Sequence, residues 1–270
     1  MKSFICLVNA VWLIMCPLRV MQDDLTLALR IPLNFDFIAA DHLGNLYTIR
    51  GNTLSKYNDK GVKTAEFTDR TVISLSSADV SDPLKILLFS KETSEIKRVD
   101  NQLSPQGNTL NLHNLGLFAP TLVCNSYENG CWVLDQTLFE LVRVNHQGII
   151  DQRTGSLLNL STNPPLISRI IEHDRFLYAI IRNYGVWKFD RYGNFAGRIP
   201  LPPDFTDCWI LQNRMAYTQN NNLVFFDPAR NVGRTVEIPV KNPSSVQLDA
   251  NKLLISTPDT LLVYQFNNPQ

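Results

Sequence analysis

Short apolar runs of four or five residues, rich in Leu, Ile, Val, Tyr and Phe, recur along most of the chain and are separated by polar stretches. Runs of this kind predict strands. One class of run ends in an apolar residue followed by Asp or Asn. Its copies are Leu54-Ser-Lys-Tyr-Asn58, Ile96-Lys-Arg-Val-Asp100, Leu141-Val-Arg-Val-Asn145, Val186-Trp-Lys-Phe-Asp190, Leu223-Val-Phe-Phe-Asp227 and Leu262-Val-Tyr-Gln-Phe266-Asn267. The final Asp or Asn positions are spaced by 42, 45, 45, 37 and 40 residues, so six copies of one unit fit. A second strand precedes each run: Leu46–Ile49, Ile86–Phe89, Cys131–Leu134, Phe176–Ile180, Met215–Thr218 and Leu253–Ser256.

In four units a glycine follows the Asp or Asn, at Gly61, Gly148, Gly193 and, more loosely, Gly233. Glycine supplies the positive φ that a tight reversal needs. Another apolar run and a Pro-containing loop come next, as in Phe195–Ile199 and Val236–Val240. Each unit therefore reads as a four-stranded antiparallel meander. Four strands per roughly 40 residues is the signature of a propeller blade. The predicted fold is all-β, a six-bladed β-propeller. The last unit stops one strand short at Phe266, and the orphan strand Leu25–Ile31 can complete it and close the ring. A β-sandwich of about 20 strands is the alternative, but it needs no fixed period.

The N-terminus departs from this pattern. Phe4–Met15 is a nearly unbroken apolar stretch after a basic start, too short to span a bilayer comfortably, and it reads as a secretory signal over residues 1–21. The propeller domain then occupies 22–270. Cys16 resembles a lipidation site, although Met15 stands where a small residue is wanted. No later stretch is long and apolar enough for a membrane span. Export to the periplasm or attachment to the outer membrane follows as the expected location.

Composition narrows the partners. Lys plus Arg and Asp plus Glu are both 25, for a formal net charge of zero. No net field draws the chain to nucleic acid or anionic lipid. Cys124 and Cys131 flank the turn-rich Asn125–Gly130, and spacing alone leaves open a hairpin disulfide or two packed free thiols. The four His residues are far apart in sequence, and neither they nor the cysteines have zinc-site spacing.

Asp41-His-Leu-Gly-Asn-Leu-Tyr47 and Val186-Trp-Lys-Phe-Asp-Arg-Tyr-Gly193 resemble the turn and strand signatures of six-bladed propellers of the NHL and senescence-marker-protein type. The resemblance covers nearly all of the mature chain and implies a binding or scaffold role. Lactonases of the senescence-marker group hold a divalent cation in the central channel with a Glu, two Asn and an Asp. Here no Glu precedes Glu66, so that quartet is not placed. Neither a Gly-x-Ser-x-Gly elbow nor a glycine-rich phosphate loop occurs, and no catalytic residue, metal or cofactor is assigned.

What remains is a surface. The loops joining the second and third strands of the blades converge on one face. They offer Arg50, Lys91, Asp135, Arg182, Tyr184 and Gln219 as candidate partner-binding residues, with Arg and Tyr favoured as anchors. Trp132, Trp187 and Trp209 fall within strands, where packing between blades is expected. The expected function is a non-catalytic binding or scaffold subunit of a bacterial cell-envelope assembly, docking a protein partner, with room for a small polar ligand. The alternative is a metal-dependent lactonase-like or other hydrolase with its site in the channel.

Overall fold

Each apolar run of the repeat becomes the second or third strand of a four-stranded antiparallel sheet, and six such sheets form the propeller ring. The computed structural model describes residues 24–267 except 33, 162, 212, 213, 229, 231, 250 and 251. The segment read as a signal peptide, and Cys16 with it, lies outside the described residues. After β1 (Leu25–Pro32), blade one comprises β2 (Phe37–Ala40), β3 (Leu46–Arg50), β4 (Thr53–Tyr57) and β5 (Lys63–Thr68). Blade two comprises β6 (Ser77–Asp79), β7 (Ile86–Ser90), β8 (Glu95–Val99) and β9 (Pro105–Asn111). Blade three follows with β10 (Pro120–Ser126), β11 (Gly130–Asp135), β12 (Glu140–Val144) and β13 (Ile150–Arg153). Blade four is built from β14 (Ile167–His173), β15 (Phe176–Ile181), β16 (Gly185–Asp190) and β17 (Phe195–Pro200). Blade five has β18 (Cys208–Leu211), β19 (Arg214–Gln219), β20 (Asn222–Asp227) and β21 (Val232–Glu237). Blade six has β22 (Ser245–Asp249), β23 (Lys252–Ser256) and β24 (Thr260–Phe266), and takes β1 as its fourth strand.

The second and third strands are apolar on both faces because both faces are covered. In β7, Ile86 and Leu88 pack towards blade one, while Leu87 and Phe89 pack towards blade three. Side chains alternate across a strand, so one run feeds two interfaces. Six apolar clusters result, one for each junction between neighbouring blades. Trp132 and Trp187 are both buried in the junction of blades three and four, and Trp209 is buried in that of five and six. Glu172 on β14 fastens blade four to blade three: its carboxylate accepts from Ser126 Oγ at 2.5 Å, Tyr127 N at 3.1 Å and Trp132 Nε1 at 2.7 Å.

The ring closes where the sequence predicts. β1 pairs antiparallel with β24, from Leu25 opposite Phe266 to Pro32 opposite Thr260. Thr26 Oγ1 donates to Asn267 Oδ1 at 2.7 Å, and Arg234 forms an ion pair with Asp24. Joining the two ends of the chain in one sheet removes edges that would otherwise invite pairing with other chains.

The recurrent Asp or Asn is a turn-holding residue. In blade four, Asp190 Oδ1 accepts from Tyr192 N and Asn194 N at 2.8 and 2.9 Å, and Oδ2 accepts from Asn194 Nδ2 at 2.9 Å. Burial pushes its carboxyl upward, but the hydrogen bonds from Asn194, Tyr192 and Gly193 outweigh that and hold it below the usual range. Asp41 does the same in the first turn of blade one, where it also accepts from Tyr47 Oη at 2.8 Å. Gly193 takes φ +86° at the reversal, as the turn requires. Gly233 departs from the expectation: it lies within β21, opposite Phe226, and is not a turn glycine. Blade two places Leu103 at the equivalent position, with φ +61°. Its buried side chain packs in the junction with blade one.

Two outcomes follow from this architecture. Deleting residues 25–31 should destabilise the protein by on the order of 5 kcal/mol, at about 1 kcal/mol per lost ladder hydrogen bond, and expose the edge of β24. Urea titration of the truncated chain measures this, and unchanged stability would refute closure by β1. Leu103→Gly should relieve about 1 kcal/mol of left-handed backbone cost but forfeit about 2–4 kcal/mol of buried leucine. A net loss in urea midpoint is therefore expected, and a gain would mean that backbone strain dominates.

Candidate binding face

Propeller loops divide between two faces, and hydrogen bonds show which belong together. In blade one, Leu75 N from the connection to blade two donates to Gly51 O in the β3–β4 loop at 2.8 Å. The same link recurs as Gln136 N to Ala119 O, Arg182 N to Leu166 O and Ile238 N to Asn221 O, at 2.9, 3.1 and 2.9 Å. The second-to-third-strand loops and the blade-to-blade connections therefore form one continuous face.

The predicted residues have different fates on it. Arg50 and Lys91 are exposed, and neither terminal cationic group has a hydrogen-bond or ion-pair partner among the described residues. Asp135 is buried, its oxygens accepting from Ala119 N at 2.9 Å and Thr137 N at 2.8 Å, so its carboxylate holds the loop. Tyr184 accepts from Arg198 Nη1 at 2.8 Å and stands edge-on to Trp187 at 6.2 Å, towards the outer strand of its blade. Gln219 donates to Asp204 Oδ1 at 2.7 Å. Arg182 is exposed and close enough to Asp207 to influence its charge.

Four large apolar side chains are also exposed on this face. Ile73, Phe118, Leu138 and Leu166 are 83%, 65%, 62% and 64% exposed. They come from the connections leading into blades two, three and four and from the β11–β12 loop. Three of the four lie in connections between blades, which a reading of the second-to-third-strand loops alone passes over. Their signal in the sequence was an apolar residue within a turn-rich stretch.

A different arrangement occupies blades four to six. Arg169, on the innermost strand β14, reaches across the channel: its Nη2 donates to Gln247 Oε1 at 3.4 Å, and its guanidinium lies 5.8 Å from the Trp209 ring centre. No carboxylate lies within ion-pair distance of it among the described residues. Burial pulls its pKa down, opposed by the charges of Asp207 and Asp79. Asp207, just before β18, is pushed up by burial, opposed by Arg169 and Arg182. Asp207 lines a cleft of about 290 Å³ between blades five and six, with Thr218, Gln219, Asn220, Asn242 and Ser244.

The two cysteines of the proposed hairpin do not bond. Cys131 lies opposite Asn125 and Cys124 opposite Trp132, so the thiols point to opposite faces of blade three. Cys124 packs towards blade four and Cys131 towards blade two. Cys124, Cys131 and Cys208 are all free and buried. His42 and His146 stand exposed in turns and His113 on a short 3-10 helix, Leu112–Leu115, and among the described residues no three His, Cys, Asp or Glu side chains converge to hold a metal ion. Among the described residues no helix is long and apolar enough to cross a membrane.

The chain is thus a six-bladed β-propeller with a partly apolar loop face and a charged channel. Among solved structures it is similar to virginiamycin B lyase from Staphylococcus aureus, with a TM-score of 0.61 at 14% identity over 90% of this chain and 99% of that one. It is similar to a streptogramin B lyase at 0.60 and 14%, covering 90% and 88%, and to the Neurospora crassa Pan2 WD40 domain at 0.61 and 8%, covering 93% and 98%. At these identities the likeness establishes the propeller fold alone, without singling out the NHL or senescence-marker type. No family model and no curated protein matches the chain.

The raised Asp207 fixes the sign of a pH effect. Its folded state binds the proton more tightly than the unfolded chain, so its contribution is fully present below the ordinary carboxyl pKa and lost as pH rises through the folded value. Asp207→Asn should therefore raise the melting temperature at neutral pH, with the gain vanishing below the ordinary carboxyl range. A lower melting temperature for the variant at neutral pH would show instead that Asp207 is a net stabiliser.

Proposed function

We propose that this propeller is a non-catalytic binding or scaffold module that docks a protein partner on its loop face. The observation that carries the reading is the set Ile73, Phe118, Leu138 and Leu166, large apolar side chains left exposed on adjoining loops of one face. Covering each with a partner is worth about 1.5–3 kcal/mol, and Leu43, Val62, Leu84 and Ile149 are exposed in turns of the opposite face as well. Arg50 and Lys91, uncommitted within the chain, supply charges at the rim that set orientation. The apolar segment Phe4–Met15 supports export, and with it a place in the periplasm or at the outer membrane as part of an envelope assembly. The turns at Asp41–Tyr47 and Val186–Gly193 support kinship with the NHL and senescence-marker propellers. A channel enzyme is the second reading, favoured by the likeness to virginiamycin B lyase and a streptogramin B lyase and by the half-buried charges of Arg169 and Asp207.

Crosslinking in the native cell, followed by capture of the tagged full-length chain, tests the docking reading. The double variant Ile73→Asp/Phe118→Asp should keep wild-type stability within about 0.5 kcal/mol, since both positions are exposed. It should reduce recovery of the captured partner about tenfold or more. Undiminished recovery would remove this face from the interaction.

A further inference from the structure

Docking on Ile73 and Phe118 gives no role to the cleft between blades five and six. That cleft opens on the same loop face, walled by the β19–β20 loop, the segment entering β18 and the connection into β22. Three of its amides are fixed in orientation. Gln219 Nε2 donates to Asp204 Oδ1 at 2.7 Å, Asn220 Nδ2 to Asp204 Oδ2 at 3.0 Å and Asn221 Nδ2 to Ile238 O at 2.8 Å. Each amide has turned its nitrogen to a protein acceptor, and the three side-chain oxygens accept nothing among the described residues. Asp207 adds a carboxylate in the same state. Its backbone N donates to Thr218 Oγ1 at 3.0 Å, but its side-chain oxygens accept no hydrogen bond among the described residues. The wall therefore carries a surplus of acceptors and suits a ligand rich in donors.

Cations and polyols both supply donors, and the rest of the wall separates them. Neither the Asn242 amide nor the Ser244 hydroxyl has a hydrogen-bond partner among the described residues, so the cleft also offers donors of its own. An ammonium or guanidinium group cannot accept from them, whereas a hydroxyl donates and accepts. Electrostatics agrees: Arg182 and Arg169 already favour the ionised form of Asp207, so an added cation meets positive charge and a neutral hydroxyl does not. An O–H donated to a carboxylate is among the stronger hydrogen bonds. The volume, about 290 Å³, equals about ten waters at roughly 30 Å³ each, room for one sugar ring rather than a chain of them. Ile238, Pro243 and Val246 add an apolar strip that fits the C–H face of such a ring.

We propose that the cleft between blades five and six binds a neutral polyol of the monosaccharide class, whose hydroxyls donate to Asp207 and to the oxygens of Gln219, Asn220 and Asn221 and accept from Asn242 and Ser244. The site is separate from the apolar set on blades two to four and does not depend on the docking reading.

Isothermal titration of the full chain with D-glucose, D-galactose, D-mannose and D-ribose, each alone, tests the proposal, with glycerol and methylammonium as controls. At least one sugar should give saturable heat, and neither control should match it. Sugars raise melting temperatures as osmolytes without occupying a site, so melting serves here to show that each variant folds. Asp207→Ala should weaken the binding about tenfold or more, as loss of a hydrogen bond to a charged group does, with Asp207→Asn in between because one side-chain oxygen remains. Asn242→Gly should weaken it about threefold or more. That variant removes the amide and keeps a residue at ease with the φ of +52° found there. Absence of saturable heat with all four sugars, methylammonium binding as tightly as the best of them, or undiminished binding by Asp207→Ala and Asn242→Gly would overturn the proposal.

Discussion

A four-stranded sheet that is apolar on both faces is stable only between two others, and a row of such sheets has no natural end. Everything else in this protein depends on that constraint. β7 gives Ile86 and Leu88 to one neighbour and Leu87 and Phe89 to the other, and the same division makes six apolar junctions rather than one central core. The row has to become a ring, and pairing β1 with β24 makes it one. The centre of the ring is thereby left as a channel lined by the innermost strands, where polar side chains such as Arg169 and Gln247 meet.

The short turns carry the second layer of specification. Asp41, Asn58, Asp100, Asn145 and Asp190 each accept hydrogen bonds through one side-chain oxygen from the backbone two and four residues on. Asx residues followed by a left-handed position form such reversals from local interactions alone. The residues that make the chain resemble other propellers are therefore the ones that bend it. The propeller fold is shared with proteins as different as lyases and a WD40 domain at 14% identity or less.

The loop face is constrained less by the fold, and there the chemistry divides. Across blades two to four the face exposes apolar side chains that water does not favour and a partner would cover. Towards blades five and six a cleft opens beside charges that burial disfavours, raising Asp207 and lowering Arg169. A fold stabilised through six junctions tolerates such local costs, and groups held at a cost are candidates for use.

The sequence by itself determined the strands, their period, the six blades and the closing strand, because each rests on local alternation and on turn chemistry within a few residues. It also identified the face on which Arg50, Lys91 and Arg182 stand, since strand order decides which loops lie together. Only the tertiary structure decided that Cys124 and Cys131 point apart, because a strand's pleat and pairing register send neighbouring side chains to opposite junctions. It likewise decided that Asp135 is consumed by Ala119 and Thr137, and that Arg169 and Asp207, 38 residues apart in sequence, come near enough to influence each other's charge. Those outcomes depend on which blades become neighbours and how far side chains reach between them, distances that no spacing along the chain encodes.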